Sequence, residues 1–181
     1  MTVPNLLSIL RILIVPIFII YMLNNRVLAS LIVFIIAVVS DALDGFIARV
    51  FHQKSNLGAH LDPLADKILL ISAYVTLATF KLIPSWLAVL TISRDVIILL
   101  GVLVLYLNRY PVRIKPSILS KATTCMQVVT ILVALSNGYV DIQFLKIYCV
   151  WATASITIAS GLQYMREGLI ILSQGANGNF A

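Results

Sequence analysis

The sequence predicts an all-α integral membrane protein with six transmembrane helices and both termini in the cytoplasm. Composition, the lengths of the apolar segments and the uneven placement of the basic residues carry that expectation. Of 181 residues, 61% are apolar and 11% charged, where an ordinary soluble domain has about 25% charged. The mean hydropathy is +1.04. A globule of this size leaves too much surface exposed to keep that much apolar area from water. A soluble globule, a disordered chain and a disulfide scaffold are therefore excluded. Cys125 and Cys149 both sit in apolar stretches and read as small filler, without metal-site spacing around them.

Six segments come near the length a helix needs to cross about 30 Å of hydrocarbon. The first, Asn5–Leu23, contains Arg11, and Arg26 follows it where a signal-peptide cleavage site would need small residues. It is therefore expected to remain as a helix, and the four residues before Asn5 leave no room for an organellar transit peptide. Asn24-Asn25-Arg26 separates it from the second segment, Val27–Ile47, and a polar stretch leads to the third, Leu61–Phe80. Lys81-Leu82-Ile83-Pro84 breaks the chain before the fourth, Pro84–Leu107, and Tyr110-Pro111 marks the loop before the fifth, Ser117–Ser136. Ser136-Asn137-Gly138 precedes the sixth, Ile142–Leu172, which is longer than one crossing requires. With no repeat and no long linker, residues 1–173 read as a single membrane domain and 174–181 as a flexible polar tail.

Net charge is +6, from 13 basic and 7 acidic residues. The bases are spread between apolar segments, which suits anionic lipid headgroups rather than nucleic acid. Six crossings put Arg49, Lys54, Arg109, Arg113, Lys115, Lys121 and Arg166 on one side, and Arg26, Lys81 and Lys146 on the other. The richer side is expected to be cytoplasmic.

Four of the seven acids fall between positions 41 and 66. Asp41 and Asp44 are spaced i,i+3 at the end of the second segment, and Asp62 and Asp66 i,i+4 at the start of the third, so each pair shares a helix face. A short loop makes the two helices antiparallel neighbours and gathers the four carboxylates near the cytoplasmic surface. At full membrane depth each would cost about 2.5–3.5 kcal/mol. Arg49, Lys54 and Lys67 have no evident register for neutralising them. Oxygen-only ligands select hard cations, and two divalent ions, Mg²⁺ or Mn²⁺, would balance four charges. Two such ions can stabilise both the attacking and the leaving oxygen at phosphorus. The alternative is capping: Asp62-Pro63 suits a helix start, and Asp41 could cap a short loop. Capping leaves Asp44 and Asp66 unexplained within apolar runs. Another alternative, a divalent-cation transporter, would use the acids as an ion path, but the opposite halves of the segments carry no acids to continue it.

Asp41-x-x-Asp44-Gly45-x-x-Ala48-Arg49, eight residues, Gly58, three residues, Asp62, three residues and Asp66 resembles the signature of the CDP-alcohol phosphatidyltransferases at all eight fixed positions. Chain length and six helices resemble that family as well. The resemblance implies transfer of a phosphatidyl group from CDP-diacylglycerol to an alcohol, with release of CMP. It implies Asp41, Asp44, Asp62 and Asp66 as ligands of two metal ions, and Asp66 also as the catalytic base. The nucleotide and diphosphate would lie against Asp41, Gly45, Ala48, Arg49 and Gly58. Small residues allow close backbone approach, although Gly45, Ala48 and Gly58 equally suit helix packing, and Arg49 either pairs with the diphosphate or snorkels. A homodimer in the bacterial inner membrane, with its active site facing the cytoplasm, is also implied.

The acceptor would meet Arg11, Arg94, Arg113, Lys115 and Lys121. Arg11, two turns into the first segment, serves the acceptor or snorkels to the headgroups. Arg94 and Asp95 are adjacent and so expected to serve different partners; the alternative to an acceptor role is an interhelical ion pair made by one of them. Arg113 and Lys115 are either an anion site or a solvated cytoplasmic run, while Lys121, near Ser117, Ser120 and Thr124, suits a phosphate. Val3-Pro4-Asn5-Leu6-Leu7-Ser8-x-x-Arg11 and Leu61–Lys67 are similar to both cardiolipin synthases and phosphatidylglycerophosphate synthases. Ile92-Ser93-Arg94-Asp95-Val96 and Lys115-Pro116-Ser117-x-x-Ser120-Lys121 resemble the eukaryotic-type cardiolipin synthases, so phosphatidylglycerol is the leading acceptor and glycerol 3-phosphate the alternative.

Overall fold

The computed structural model describes the backbone over 3–50, 58–107, 118–137 and 142–176, and side chains over 10–41, 65–104, 107, 118–137 and 142–171. The six apolar segments become six helices: α1 (Val3–Leu23), α2 (Val27–Val50), α3 (Gly58–Thr79), α4 (Ser85–Leu107), α5 (Ile118–Ser136) and α6 (Gln143–Ala176). The described residues contain no strand. Helix α6 has 34 residues, about 51 Å at 1.5 Å per residue, and runs into the stretch read as a tail.

Two helix ends close with the same device. After α1, Arg26 N–H donates to Tyr21 O (2.9 Å) and Asn25 N–H to Met22 O (3.0 Å), with Asn25 at φ 56°. After α3, Leu82 N–H donates to Leu77 O (2.9 Å) and Lys81 N–H to Ala78 O (3.1 Å), with Lys81 at φ 57°. Both are Schellman caps, which satisfy the last carbonyls and reverse the chain where glycine or asparagine is usual.

Helices α1, α2 and α3 form one side of the bundle, α4, α5 and α6 the other, joined where α5 meets α2 and α3 and where α4 meets α3. Phe18 and Phe34 pack at a 6.0 Å centroid separation between α1 and α2, and Ala37, Ala73, Leu77 and Leu87 are buried around them. Threonines join α5 to α6: Thr130 and Thr153 share a 2.7 Å hydroxyl hydrogen bond, and Thr153 donates to Met126 O at 3.2 Å. Such interhelical hydrogen bonds suit a setting where lipid is as apolar as the core. The outer surface is correspondingly apolar, with Leu13, Val89, Leu99 and Trp151 all exposed.

Among the described residues, Ser85–Val104, Ile118–Ser136 and Gln143–Ile171 are long and apolar enough to cross a membrane, and Leu10–Leu23 and Val27–Asp41 are shorter apolar stretches. Leu77→Ala should lower unfolding free energy in detergent by about 2 kcal/mol, the low end for a core leucine, because the unfolded helices stay in an apolar phase. Val89→Ala, on the lipid-facing surface, should change it by less than about 0.5 kcal/mol. Thermal unfolding of both variants tests the pair.

Candidate active site

The buried stripes of α1, α2 and α3 explain how charge arrives at one place. On α1 the stripe runs Met22, Phe18, Val15, Arg11; on α2, Ser30, Phe34, Ala37, Asp41; on α3, Leu77, Ala73, Leu69 or Leu70, Asp66. Each follows helical spacing, and each reaches a charged residue at the same end of the bundle. Arg11 is 1% exposed, and its Nη2 lies 2.8 Å from Asp41 Oδ1. Its Nη1 donates to Asp66 Oδ1. One guanidinium therefore bridges carboxylates from two other helices, a geometry that suits its planar fork. The carboxylates themselves are 46% and 36% exposed, so they open outward while the arginine lies beneath them. Snorkelling is thereby overturned for Arg11: its charge is matched inside the bundle.

Helix bounds also settle the capping alternative. Asp41 lies well inside α2, and α3 starts at Gly58, so Asp62 is a full turn into its helix. Neither occupies a helix start. Asp44, Gly45, Ala48 and Arg49 belong to α2, and Gly58 and Asp62 to α3; their side chains lie outside the described residues. Arg113 and Lys115 lie outside them entirely. Among the described residues no three His, Cys, Asp or Glu side chains gather as a metal site. The two described acids of the signature do converge on one cation, with oxygen donors open to solvent. That donor chemistry fits a hard divalent ion, and Asp44 and Asp62 are placed by their helices one turn from Asp41 and Asp66.

A second charged cluster adjoins the first. Asp95 accepts from Arg94 Nη1 at 2.6 Å and pairs through Oδ2 with Lys67 Nζ at 2.9 Å. Arg94 Nη2 donates to Ser120 Oγ and Ser160 Oγ, both at 2.8 Å, and the guanidinium carbon lies 5.8 Å from the Tyr164 ring centroid. The expectation that Arg94 and Asp95 face different partners is corrected: the long arginine curls back onto its neighbour, and Asp95 also pairs across to α3. Residues of α3, α4, α5 and α6 are thus tied at one level, and Lys67 directly follows Asp66. Ser160 and Tyr164 were not foreseen; their spacing on one face of α6 was the available signal. Lys121, next to Ser120, is exposed.

The helices and this site define a membrane protein whose acidic centre is held by internal arginine. The chain belongs to the CDP-alcohol phosphatidyltransferase family, whose model matches residues 1–159, and that family consists of integral membrane proteins generally dependent on divalent cations. It is 36% identical over 187 residues to "Cardiolipin synthase (CMP-forming)" of Rattus norvegicus, covering 92% of this chain and 61% of that protein. It is 33% identical over 150 residues to "CDP-diacylglycerol--glycerol-3-phosphate 3-phosphatidyltransferase" of Aquifex aeolicus, covering 81% and 83%. The protein of the same description from Bacillus subtilis is 31% identical over 183 residues, covering 91% and 93%. The chain spans about three-fifths of the length of the rat and human relatives, 61% and 62%.

Asp95→Asn removes the acid shared by Lys67 and Arg94. It should lower stability by about 3 kcal/mol, as loss of one partner from a buried ion pair does; thermal unfolding in detergent measures the effect.

Proposed function

We propose that this chain transfers a phosphatidyl group from CDP-diacylglycerol to a glycerol-type acceptor and releases CMP, with phosphatidylglycerol as acceptor and cardiolipin as product. The observation that carries the reading is the convergence of Asp41 and Asp66 on Arg11 within a signature that fixes Asp44 and Asp62 on the same two helices. Asp41, Asp44, Asp62 and Asp66 would hold two divalent ions, Mg²⁺ or Mn²⁺. Bound there, the ions supply charge neutralisation at the phosphates. Asp66 accepts the proton of the acceptor hydroxyl as that oxygen attacks the phosphorus bearing diacylglycerol. The bond from that phosphorus to the CMP oxygen breaks, and CMP leaves. Gly45, Ala48 and Gly58 admit the nucleotide, and Arg49 pairs with its diphosphate.

Arg11 has a different part. It is the chain's own counter-ion, keeping Asp41 and Asp66 together despite their repulsion before ions bind. Arg94 acts as a positioning residue through Asp95 and Lys67, while Lys121, Arg113 and Lys115 offer charge to the acceptor phosphate. The motif around Arg94 and the 36% identity to a protein named cardiolipin synthase favour phosphatidylglycerol. Glycerol 3-phosphate is the second reading, favoured by similarity to proteins named for that acceptor. Six crossings with cytoplasmic termini put the acids at the cytoplasmic surface of a bacterial inner membrane, and the enzyme works there as a homodimer.

Purified protein with CDP-diacylglycerol, Mg²⁺ or Mn²⁺ and each acceptor in turn should release CMP with phosphatidylglycerol and stop on chelation. Product from glycerol 3-phosphate alone would overturn the acceptor, and no CMP with any acceptor would overturn the activity. Asp66→Asn should lower kcat by about 10²–10⁴-fold, the usual worth of a positioned base. Arg11→Gln should unfold at lower temperature in chelator, and millimolar Mg²⁺ should recover more of its stability than it adds to the parent, since bound ligand stabilises the state that binds it. An equal Mg²⁺ effect on both proteins would sink the counter-ion role.

A further inference from the structure

The end of the bundle away from the aspartates holds a cavity that phosphatidyl transfer does not use. It measures about 600 Å³ and lies between the turn after α3, the start of α4 and the first turns of α6. That volume suits a small-molecule or headgroup site. Lys81 and Lys146 both line it, together with Ser85 and Gln143. Along α3 and its cap, Lys81 lies fifteen residues beyond Asp66, about 22 Å at 1.5 Å per residue, so the cavity is near the opposite membrane surface.

Charge there is unusual. Only Arg26, Lys81 and Lys146 are basic on that side by sequence, and two of the three meet in one cavity. No carboxylate among the described residues lines it; Asp141, in the α5–α6 connection, is outside the described residues. Two lysines lining one space repel each other, and an anion bound there would relieve that repulsion. The remaining wall is apolar, with Val150 and the paired rings of Trp86 and Trp151, whose centroids are 5.6 Å apart. Indole rings of that kind favour the headgroup level of a bilayer. Two lysines and an apolar wall in one cavity match an anionic phospholipid better than a free phosphate, which has no use for the wall.

We propose that this cavity binds an anionic phospholipid of the leaflet opposite the aspartates, with its phosphate between Lys81 and Lys146 and an acyl chain along Val150 and Trp151. The site is separate from the transfer chemistry and rests only on the chain crossing a bilayer.

The protein reports on this cavity by itself, because both of its tryptophans line the space. In phosphatidylcholine vesicles, dibrominated phosphatidylserine should quench their fluorescence with at least about a fivefold binding preference over dibrominated phosphatidylcholine, roughly the worth of one lysine near an anionic lipid. The K81N/K146Q variant should lose the preference; asparagine suits the left-handed backbone at 81, so the turn is kept. K81R/K146R should retain it. Equal quenching by the two lipids in the parent protein overturns the proposal without any variant, as does a preference that persists in K81N/K146Q. Loss of the preference when millimolar inorganic phosphate bathes both membrane faces would assign the site to free phosphate and overturn the lipid.

Discussion

The bridge from Arg11 to Asp41 and Asp66 is the contact on which the functional end of the molecule depends. A guanidinium that is 1% exposed is tolerable at membrane depth only if its charge is matched. Its partners stand on α2 and α3, so satisfying Arg11 fixes where those two helices lie relative to α1. The carboxylates gain as well: each meets a positive charge that is rigidly attached and cannot diffuse away. The cost of burying one arginine is offset by its pairing with two acids.

The adjacent cluster extends that constraint across the bundle. Lys67 follows Asp66 in sequence and pairs with Asp95, and Asp95 in turn holds Arg94, whose other nitrogen reaches serines on α5 and α6. Charge pairing and hydroxyl hydrogen bonds therefore connect α3 to α4, α5 and α6. In lipid, apolar contact alone discriminates weakly between helix arrangements, because lipid tails pack against leucine as readily as leucine does. Polar contacts at fixed positions supply the missing discrimination. The Thr130–Thr153 hydrogen bond does the same further from the site.

Helix existence and type were legible in the sequence because apolar runs of crossing length have few other interpretations. All six segments appear as helices, with ends moved by a few residues: α2 runs to Val50 rather than Ile47, and α3 begins at Gly58 rather than Leu61. Those extra turns put the four signature aspartates inside helices, where capping cannot account for Asp41 or Asp62. The ion pairs were less legible. The sequence offers Arg11 as an acceptor contact or a snorkelling charge, but its burial follows from its position on the stripe of Val15, Phe18 and Met22, a regularity that composition and segment length do not expose. The Arg94–Asp95 contact was misjudged because the rule that adjacent helix positions diverge describes Cβ directions, whereas a long arginine can return past its own backbone.

The two ends of the bundle solve opposite electrostatic problems. At the aspartate end, the repulsion between clustered carboxylates is partly met from within by Arg11, while Asp41 and Asp66 stay partly exposed. At the other end, Lys81 and Lys146 line a cavity with no described carboxylate to meet them, and Lys81 is held there by a Schellman cap in which lysine replaces the usual glycine or asparagine. A left-handed lysine is disfavoured relative to glycine, so the side chain, rather than the turn, accounts for the residue type. Two lysines with no counter-charge among the described residues of their cavity draw one from their surroundings. In a bilayer the abundant anions at that depth are lipid phosphates, and the paired tryptophans give such a lipid an apolar wall to lie on.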